Sequence, residues 1–117
     1  MEEKQLIAKY DIVSILVPFT DLSNCKVRPA IILAVLDADI IVACITSKIN
    51  GSKQAGEIAN IFIPVAPSIE NGLSKLSYVQ LSKIITLDKS LISCRLGRID
   101  ADVLQKISTN LFDFFKV

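Results

Sequence analysis

The sequence predicts a mainly β protein, a small barrel or sandwich, that ends in one α-helix. Short apolar runs rich in β-branched residues follow one another closely along residues 11–96, with turn residues between them. After residue 100, the apolar residues recur at the three- and four-residue intervals of a helix. Strands this closely spaced leave no room for the crossover helices of βαβ units.

Seven short segments have the composition of strands. They are residues 11–17 (DIVSILV), 29–36 (PAIILAVL), 40–46 (IIVACIT), 60–65 (NIFIPV), 78–81, 83–87 and 91–96. The turn Asp37-Ala38-Asp39 separates the second and third segments, so these two are expected to form a hairpin. The polar residues 20–27 and the glycine-containing residues 47–57 are predicted loops. Long loops on a small β-scaffold commonly carry functional groups.

The C-terminal segment predicts an amphipathic helix. Asp100 is placed to cap it. The apolar residues that follow lie on one helical face, which is expected to pack on the barrel or on a partner. They are Val103, Leu104, Ile107, Leu111, Phe114 and Phe115. No repeat or linker divides the sequence, so we expect a single domain over residues 1–117.

The chain is unusually apolar for a protein that folds alone. Its 117 residues are 51% hydrophobic and 21% charged, and the mean hydropathy is +0.51. The longest apolar stretch, residues 29–36, is far shorter than the about 20 residues that span a membrane. The N-terminus lacks the basic start and apolar run of a secretory signal. We therefore expect a soluble, cytoplasmic protein that buries apolar surface against another chain.

The residue types exclude several kinds of chemistry. The chain has no histidine, which rules out Ser-His-Asp and Cys-His triads and removes a common zinc ligand. Its three cysteines show no CxxC spacing and are expected to be free thiols. No glycine-rich phosphate-binding motif is present. Residues 41–98 carry seven basic and three acidic side chains, so a polyanion would bind in this part of the chain.

Three strings, taken in order, carry a resemblance to a known family. They are DIVSILVPFTDLSNCKVRPAIIL, ACITSK and SYVQLSKIITLDKSLISCRLGRID. Together they resemble the MazF/PemK toxins, the endoribonuclease components of bacterial type II toxin–antitoxin pairs, over residues 11–115. The resemblance implies a small SH3-like β-barrel with a C-terminal α-helix, usually as a homodimer. It also implies RNA as substrate, a cognate antitoxin that covers the substrate groove, and no cofactor or metal.

The resemblance assigns candidate roles to seven residues. Arg28, in an Arg-Pro pair before an apolar strand, matches the catalytic arginine of MazF-type enzymes. Thr46 matches the threonine or serine that acts with it, and Ser23 lies near the position of a family serine close to the substrate phosphate. The remaining RNA-binding candidates are Lys26, Ser47, Lys48 and Gln80.

These residue types can cleave RNA without histidine, because RNA supplies its own nucleophile, the 2′-hydroxyl. Attack on the adjacent phosphorus builds negative charge on the non-bridging oxygens, which an arginine fork and a threonine hydroxyl can stabilise. The expected products are a 2′,3′-cyclic phosphate and a 5′-hydroxyl. Arginine is a poor general base, so the sequence leaves the proton acceptor open.

One strand departs from the family pattern. Many PemK-like members read SYVRLDKI, with an arginine and an aspartate assigned acid–base roles, where this chain has Gln80 and Ser82. Either Arg28 and Thr46 suffice for cleavage, or the chain is a slow or inactive barrel that binds RNA or a protein. A third hypothesis is a toxin that acts by binding a host protein.

Overall fold

The computed structural model describes residues 6–18, 25–48 and 61–116. Within them, six strands and one helix form the fold. The strands are β1 (Asp11–Pro18), β2 (Cys25–Val35), β3 (Asp39–Thr46), β4 (Phe62–Val65), β5 (Ser77–Asp88) and β6 (Ile92–Arg98), and the helix is α1 (Ala101–Phe114). A single 3-10 turn, Lys89–Leu91, joins β5 to β6.

The strands form one antiparallel sheet in the order β4-β5-β3-β2-β1-β6. The predicted hairpin of β2 and β3 is present, and its turn is closed by the Leu36 amide donating to the Asp39 carbonyl at 2.8 Å. The mainly β fold with a C-terminal helix is therefore confirmed. Within the described residues no ladder joins β4 to β6, so backbone hydrogen bonds do not close the sheet into a continuous barrel.

Apolar side chains are buried on both faces of the sheet. One core contains Ile12 and Ile31 and is covered by α1, which buries Val103 and Ile107 in it. The other core contains Val13, with side chains from β2 and β3. Successive residues of a strand point to opposite faces, so neighbours such as Ile12 and Val13 belong to different cores. Burial on both faces accounts for strands that read as continuous apolar runs rather than as an alternation.

The second strand begins earlier than the sequence predicts. β2 starts at Cys25 rather than at Pro29. Its first part pairs with β1, whereas its ladder with β3 begins only at Ala30. Proline has no N–H to donate and is tolerated where one side of a strand carries no ladder. Pro29 therefore lies inside the strand without ending it.

The fifth strand is continuous, and the prediction of two separate strands over residues 78–81 and 83–87 is wrong. The β3–β5 register pairs Ala43 with Ile84 and Ile45 with Val79. One residue of β3 is thus opposed by four residues of β5, which form a bulge. A bulge takes up the extra residues without breaking the strand, and only the register reveals it.

The helix α1 begins where predicted, but the side-chain contacts of its N-cap residue differ from the prediction. Asp100 occupies the N-cap position, yet its side chain makes no capping hydrogen bond and instead accepts one from Asn71 Nδ2 at 3.2 Å. Leu111 packs against the core as predicted. Phe114 and Phe115 remain 46% and 59% exposed, so they do not pack fully on the sheet, and their packing on a partner stays a prediction.

An ion-pair cluster joins β1 to β6. The Asp11 side chain is only 3% exposed and accepts hydrogen bonds from Arg95 Nε at 3.1 Å and Arg98 Nη1 at 2.9 Å. The Ala8 amide donates a further one at 2.9 Å. Burial raises the pKa of the Asp11 carboxyl, but these hydrogen bonds and the arginine charge outweigh it and bring the pKa below its ordinary value.

Two further expectations concern the cysteines and the membrane. Cys44 and Cys94 are free thiols, as predicted. The third cysteine, Cys25, lies in β2, and its side chain is outside the described part of the structure. Among the described residues, no helix has the length and apolar character needed to cross a membrane.

Candidate active site

Arg28 lies in β2 at the point where the strand leaves the apolar core. It pairs with Ile15 of β1, and the alternation of β2 puts it on the same face as Ala30 and Ile32, which are fully buried. Arg28 itself is exposed. The pairing with β1 fixes its backbone, while the side chain reaches the surface.

Thr46 is the last residue of β3, half-buried, and paired with Tyr78 of β5. The β2–β3 ladder ends at the pair of Ala30 with Cys44. Arg28 lies two residues before Ala30 and Thr46 lies two residues after Cys44, so the alternation of each strand puts both residues on the same face of the sheet. The two residues that the sequence analysis selected as catalytic candidates therefore share one face, on neighbouring strands.

The Thr46 hydroxyl is held by the turn that follows β3. Its Oγ1 accepts a hydrogen bond from the Lys48 amide at 3.2 Å and donates one to the Lys48 carbonyl at 3.1 Å. Ser47 and Lys48, two of the RNA-binding candidates, are exposed in this turn. The turn therefore sets two polar, solvent-facing residues next to Thr46 at the open end of the strand.

Cys44 lies in β3, the strand between β2 and β5, and is only 7% exposed. Burial raises the pKa of its thiol, while the positive charges of Lys83 and Arg28 oppose that rise. Both cations are thus close enough to act on the same sulfur. This face of the sheet is electropositive, which is the environment that a phosphodiester requires.

Gln80 and Ser82 lie in β5 beside these residues. Continuing the pairing of Ile45 with Val79 by one position puts Gln80 opposite Cys44. Gln80 Nε2 donates a hydrogen bond to Ser82 Oγ at 3.2 Å. These are the positions where PemK-like members carry an arginine and an aspartate. Here the two side chains still pair, but the pair has no charge.

The remaining two RNA-binding candidates precede Arg28 in the chain. Lys26 lies in β2, with its backbone paired to Val17 of β1. Ser23 lies outside the described residues, as does most of the predicted loop over residues 47–57.

The sequence analysis did not select Lys83, although the structure puts it at this site. Ile85, two residues further along β5, packs into the core that contains Val13, so Lys83 shares that face of the strand. Continuing the pairing of Ala43 with Ile84 by one position places Lys83 opposite Cys44. No local sequence pattern predicts this position of Lys83, because the bulge before it is visible only in the pairing of β3 with β5.

A cavity of about 690 Å³ lies elsewhere, between the β2–β3 hairpin and the 3-10 turn. Its lining includes Val35, Asp37 and Ser90. Arg28 and Thr46 are at the opposite ends of β2 and β3, so the candidate site is separate from this cavity.

Comparison with known proteins decides the family. The sequence pattern of the PemK-like, MazF-like toxins of type II toxin–antitoxin systems matches residues 8–115. The chain belongs to this family. The family predicted from the sequence is confirmed, and with it the class of the protein, a toxin endoribonuclease. No curated protein sequence matches the chain.

Solved structures with the same fold include other MazF toxins. MazF (form I) from Deinococcus radiodurans superposes on this PemK/MazF-family toxin with a TM-score of 0.70 at 17% identity, covering 97% of this chain and 100% of that one. An endoribonuclease in complex with its cognate antitoxin, from a mycobacterial species, has a TM-score of 0.67 at 19% identity and covers 92% and 93%. The Mycobacterium tuberculosis toxin MazF-mt6 has a TM-score of 0.66 at 18% identity and covers 90% and 97%. The fold of these toxins extends over nearly the whole chain.

Proposed function

We propose that this toxin is a metal-independent, sequence-selective endoribonuclease that cleaves single-stranded RNA. The observation that carries the proposal is that Arg28 and Thr46 share one electropositive face of the sheet, where the ladder between the neighbouring strands β2 and β3 ends. Membership of a family of endoribonuclease toxins supports RNA as the substrate.

In this proposal Arg28 and Thr46 act on the scissile phosphate. The planar guanidinium of Arg28 donates two parallel hydrogen bonds to the non-bridging oxygens, and the Thr46 hydroxyl donates a third. The ribose 2′-oxygen bonds to phosphorus as its proton passes to water, and the bond from phosphorus to the 5′-oxygen breaks as that oxygen takes a proton from water. The products are a 2′,3′-cyclic phosphate and a 5′-hydroxyl. DNA lacks the nucleophile and is left intact.

The described side chains around this pair supply donors and charge but no ionised base. Among the described residues the site consists of Arg28 and Thr46 together with Cys44, Gln80, Ser82 and Lys83. Catalysis would therefore rest on charge stabilisation and on holding the 2′-hydroxyl in line with the leaving oxygen. Gln80 keeps amide hydrogen-bonding capacity beyond its bond to Ser82, which suits it to a base or ribose of the RNA.

The proposal includes the partners of a type II toxin. A cognate antitoxin would bind the electropositive face and exclude RNA, as the family's toxin–antitoxin pairing supports. A homodimer in the cytoplasm, built from one domain over residues 1–117, completes the proposal. The exposed aromatic side chains at the end of α1 favour a protein contact there; they are Phe112, Phe114 and Phe115.

The test is cleavage of a long, mixed-sequence RNA in EDTA, with a DNA copy of the same sequence beside it. The expected result is cleavage of RNA alone, leaving 5′-hydroxyl ends, and loss of cleavage in Arg28→Ala. Lys106→Ala, which removes an exposed cation from α1, is the matched control and should cleave normally. Intact RNA in the presence of tight, salt-sensitive RNA binding would instead identify the chain as a binding module.

A further inference from the structure

Lys83 projects from the bulge of β5 onto the face that carries Arg28. The bulge sets four residues of β5 against one residue of β3, and its last residue is Lys83, opposite Cys44. Lys83 is exposed. A bulge re-aims the side chain at its end, so the position of Lys83 depends on this irregularity and not on a regular ladder.

Arg28 and Lys83 lie on the two strands that flank β3. Arg28 is in β2 and Lys83 is in β5, and both strands pair with β3. Their backbones are therefore two strand spacings apart, about 10 Å. Both side chains are long, and both act electrostatically on the Cys44 sulfur between them. An anion that lies between two cations so placed is attracted by both of them.

No ion pair joins Lys83 to a carboxylate of the described residues. The ion pairs of Asp11 with Arg95 and Arg98 lie on the far side of β1. Because the neutral Gln80 and Ser82 replace the charged pair seen in many PemK-like members, Lys83 is the cation that β5 presents here. The lysine ammonium is a point charge on a flexible side chain, and this suits Lys83 to binding a phosphate.

We propose that Lys83 binds the phosphate next to the scissile one, so that Arg28 and Lys83 together hold two consecutive phosphates of the RNA. The inference rests on the proposed function of Arg28 and deepens it by naming a second phosphate position. Lys83 is a positioning residue, since it fixes the strand along β3 without touching the reacting atoms. It acts equally on substrate and transition state, so its removal raises KM and leaves kcat nearly unchanged.

The experiment measures binding of a fully 2′-O-methylated copy of the RNA, which cannot be cleaved, by fluorescence anisotropy over a range of salt concentrations. For single strands each phosphate contact contributes about 0.7 to the slope of log affinity against log salt. Lys83→Gln should lower the slope by about 0.7, Lys83→Arg should restore it, and Lys106→Gln should leave it unchanged. An unchanged slope in Lys83→Gln overturns the proposal.

The double variant Arg28→Ala/Lys83→Gln separates two phosphates from one. If the residues hold consecutive phosphates, the two losses of slope add. A double variant that loses no more than either single variant shows one shared phosphate and overturns the proposal. Failure of the proposed function is distinguishable, because it appears as intact RNA in the cleavage assay whatever the slope. Equal thermal unfolding of all variants shows that the fold is retained.

Discussion

The hydroxyl of Thr46 donates a hydrogen bond to the Lys48 carbonyl at 3.1 Å while it accepts one from the Lys48 amide at 3.2 Å. In this arrangement the Thr46 proton points into the turn. To donate to a phosphate oxygen, the hydroxyl must rotate away from the Lys48 carbonyl, which is exposed and can pair with water instead. The Lys48 amide can keep its bond throughout, so the oxygen stays in place while its proton changes partner.

Thr46→Val therefore tests the donor. Valine has nearly the same shape and lacks the hydroxyl, so kcat should fall roughly 10²-fold, as for removal of one donor to a developing negative charge. Thr46→Ser retains both hydrogen bonds to Lys48 and should stay within about tenfold of the native rate. Single-turnover cleavage of the mixed-sequence RNA measures both. Equal rates in the valine and serine variants would remove Thr46 from the mechanism.

Arg28→Lys tests whether the site needs a planar fork or only a charge. Lysine keeps the positive charge but cannot make two parallel bonds to the phosphate. We expect Arg28→Ala to abolish detectable cleavage and Arg28→Lys to retain a small fraction of it, with RNA binding weakened far more in the alanine variant. Thermal unfolding of both variants beside the native chain separates a loss of activity from a loss of fold. Full activity in Arg28→Lys would show that the site needs only the positive charge at position 28 and not the planar guanidinium.

Restoring the family's charged pair should add a proton acceptor. In the double variant Gln80→Arg/Ser82→Asp, a carboxylate replaces the hydroxyl that now accepts from Gln80. General base catalysis contributes 10²–10⁴-fold when optimally placed, so an unoptimised base should raise the cleavage rate about tenfold. The rate should also acquire a pH dependence at the carboxylate's titration. Gln80→Arg/Ser82→Asn is the matched control, and a gain in that variant as well would contradict the role of a base.

The sequence predicts the strands and the helix because each has a local signal. Apolar β-branched runs specify the strands, and Asp37 and Asp39 specify the hairpin turn. The prediction that the strand starts at Pro29 is wrong because a proline interrupts a strand only where a neighbouring strand needs its N–H. Whether a second strand pairs at Pro29 is a property of the sheet and not of the local sequence. The prediction that the strand breaks at Ser82 is also wrong, because the residues around Ser82 form a bulge in an unbroken strand.

The sequence likewise predicts only part of the candidate site. The family resemblance selects Arg28 and Thr46, and the pairing of β2 with β3 then puts both on one face of neighbouring strands. Lys83 was missed because its place on this face follows from the number of residues in the bulge, which no local pattern encodes. Asp100 occupies the position of a helix cap, but its carboxylate accepts a hydrogen bond from the buried Asn71 instead of capping the helix. This contact joins residues that are far apart in the chain, so the sequence pattern does not predict it.

The buried carboxylate of Asp11 gives the fold a pH-dependent stability. Its pKa is lowered in the folded protein, so the folded state binds this proton less readily than the unfolded chain. The stabilisation is then fully present above the unfolded pKa of about 3.9. It is lost as the pH falls through the lower folded value.

Asp11→Asn removes this contribution. Arg95 and Arg98 are 42% and 54% exposed, so solvent screens the ion pairs. We expect the variant to lose about 1–2 kcal/mol of unfolding free energy at pH 7. The difference from the native chain should shrink as the pH falls from 5 towards 2, because protonated Asp11 can no longer attract the arginines as an anion. Urea unfolding at several pH values measures it, with Asp37→Asn as an exposed control. A difference that stays constant with pH would show that Asp11 stabilises the fold through packing and neutral hydrogen bonds rather than through its charge.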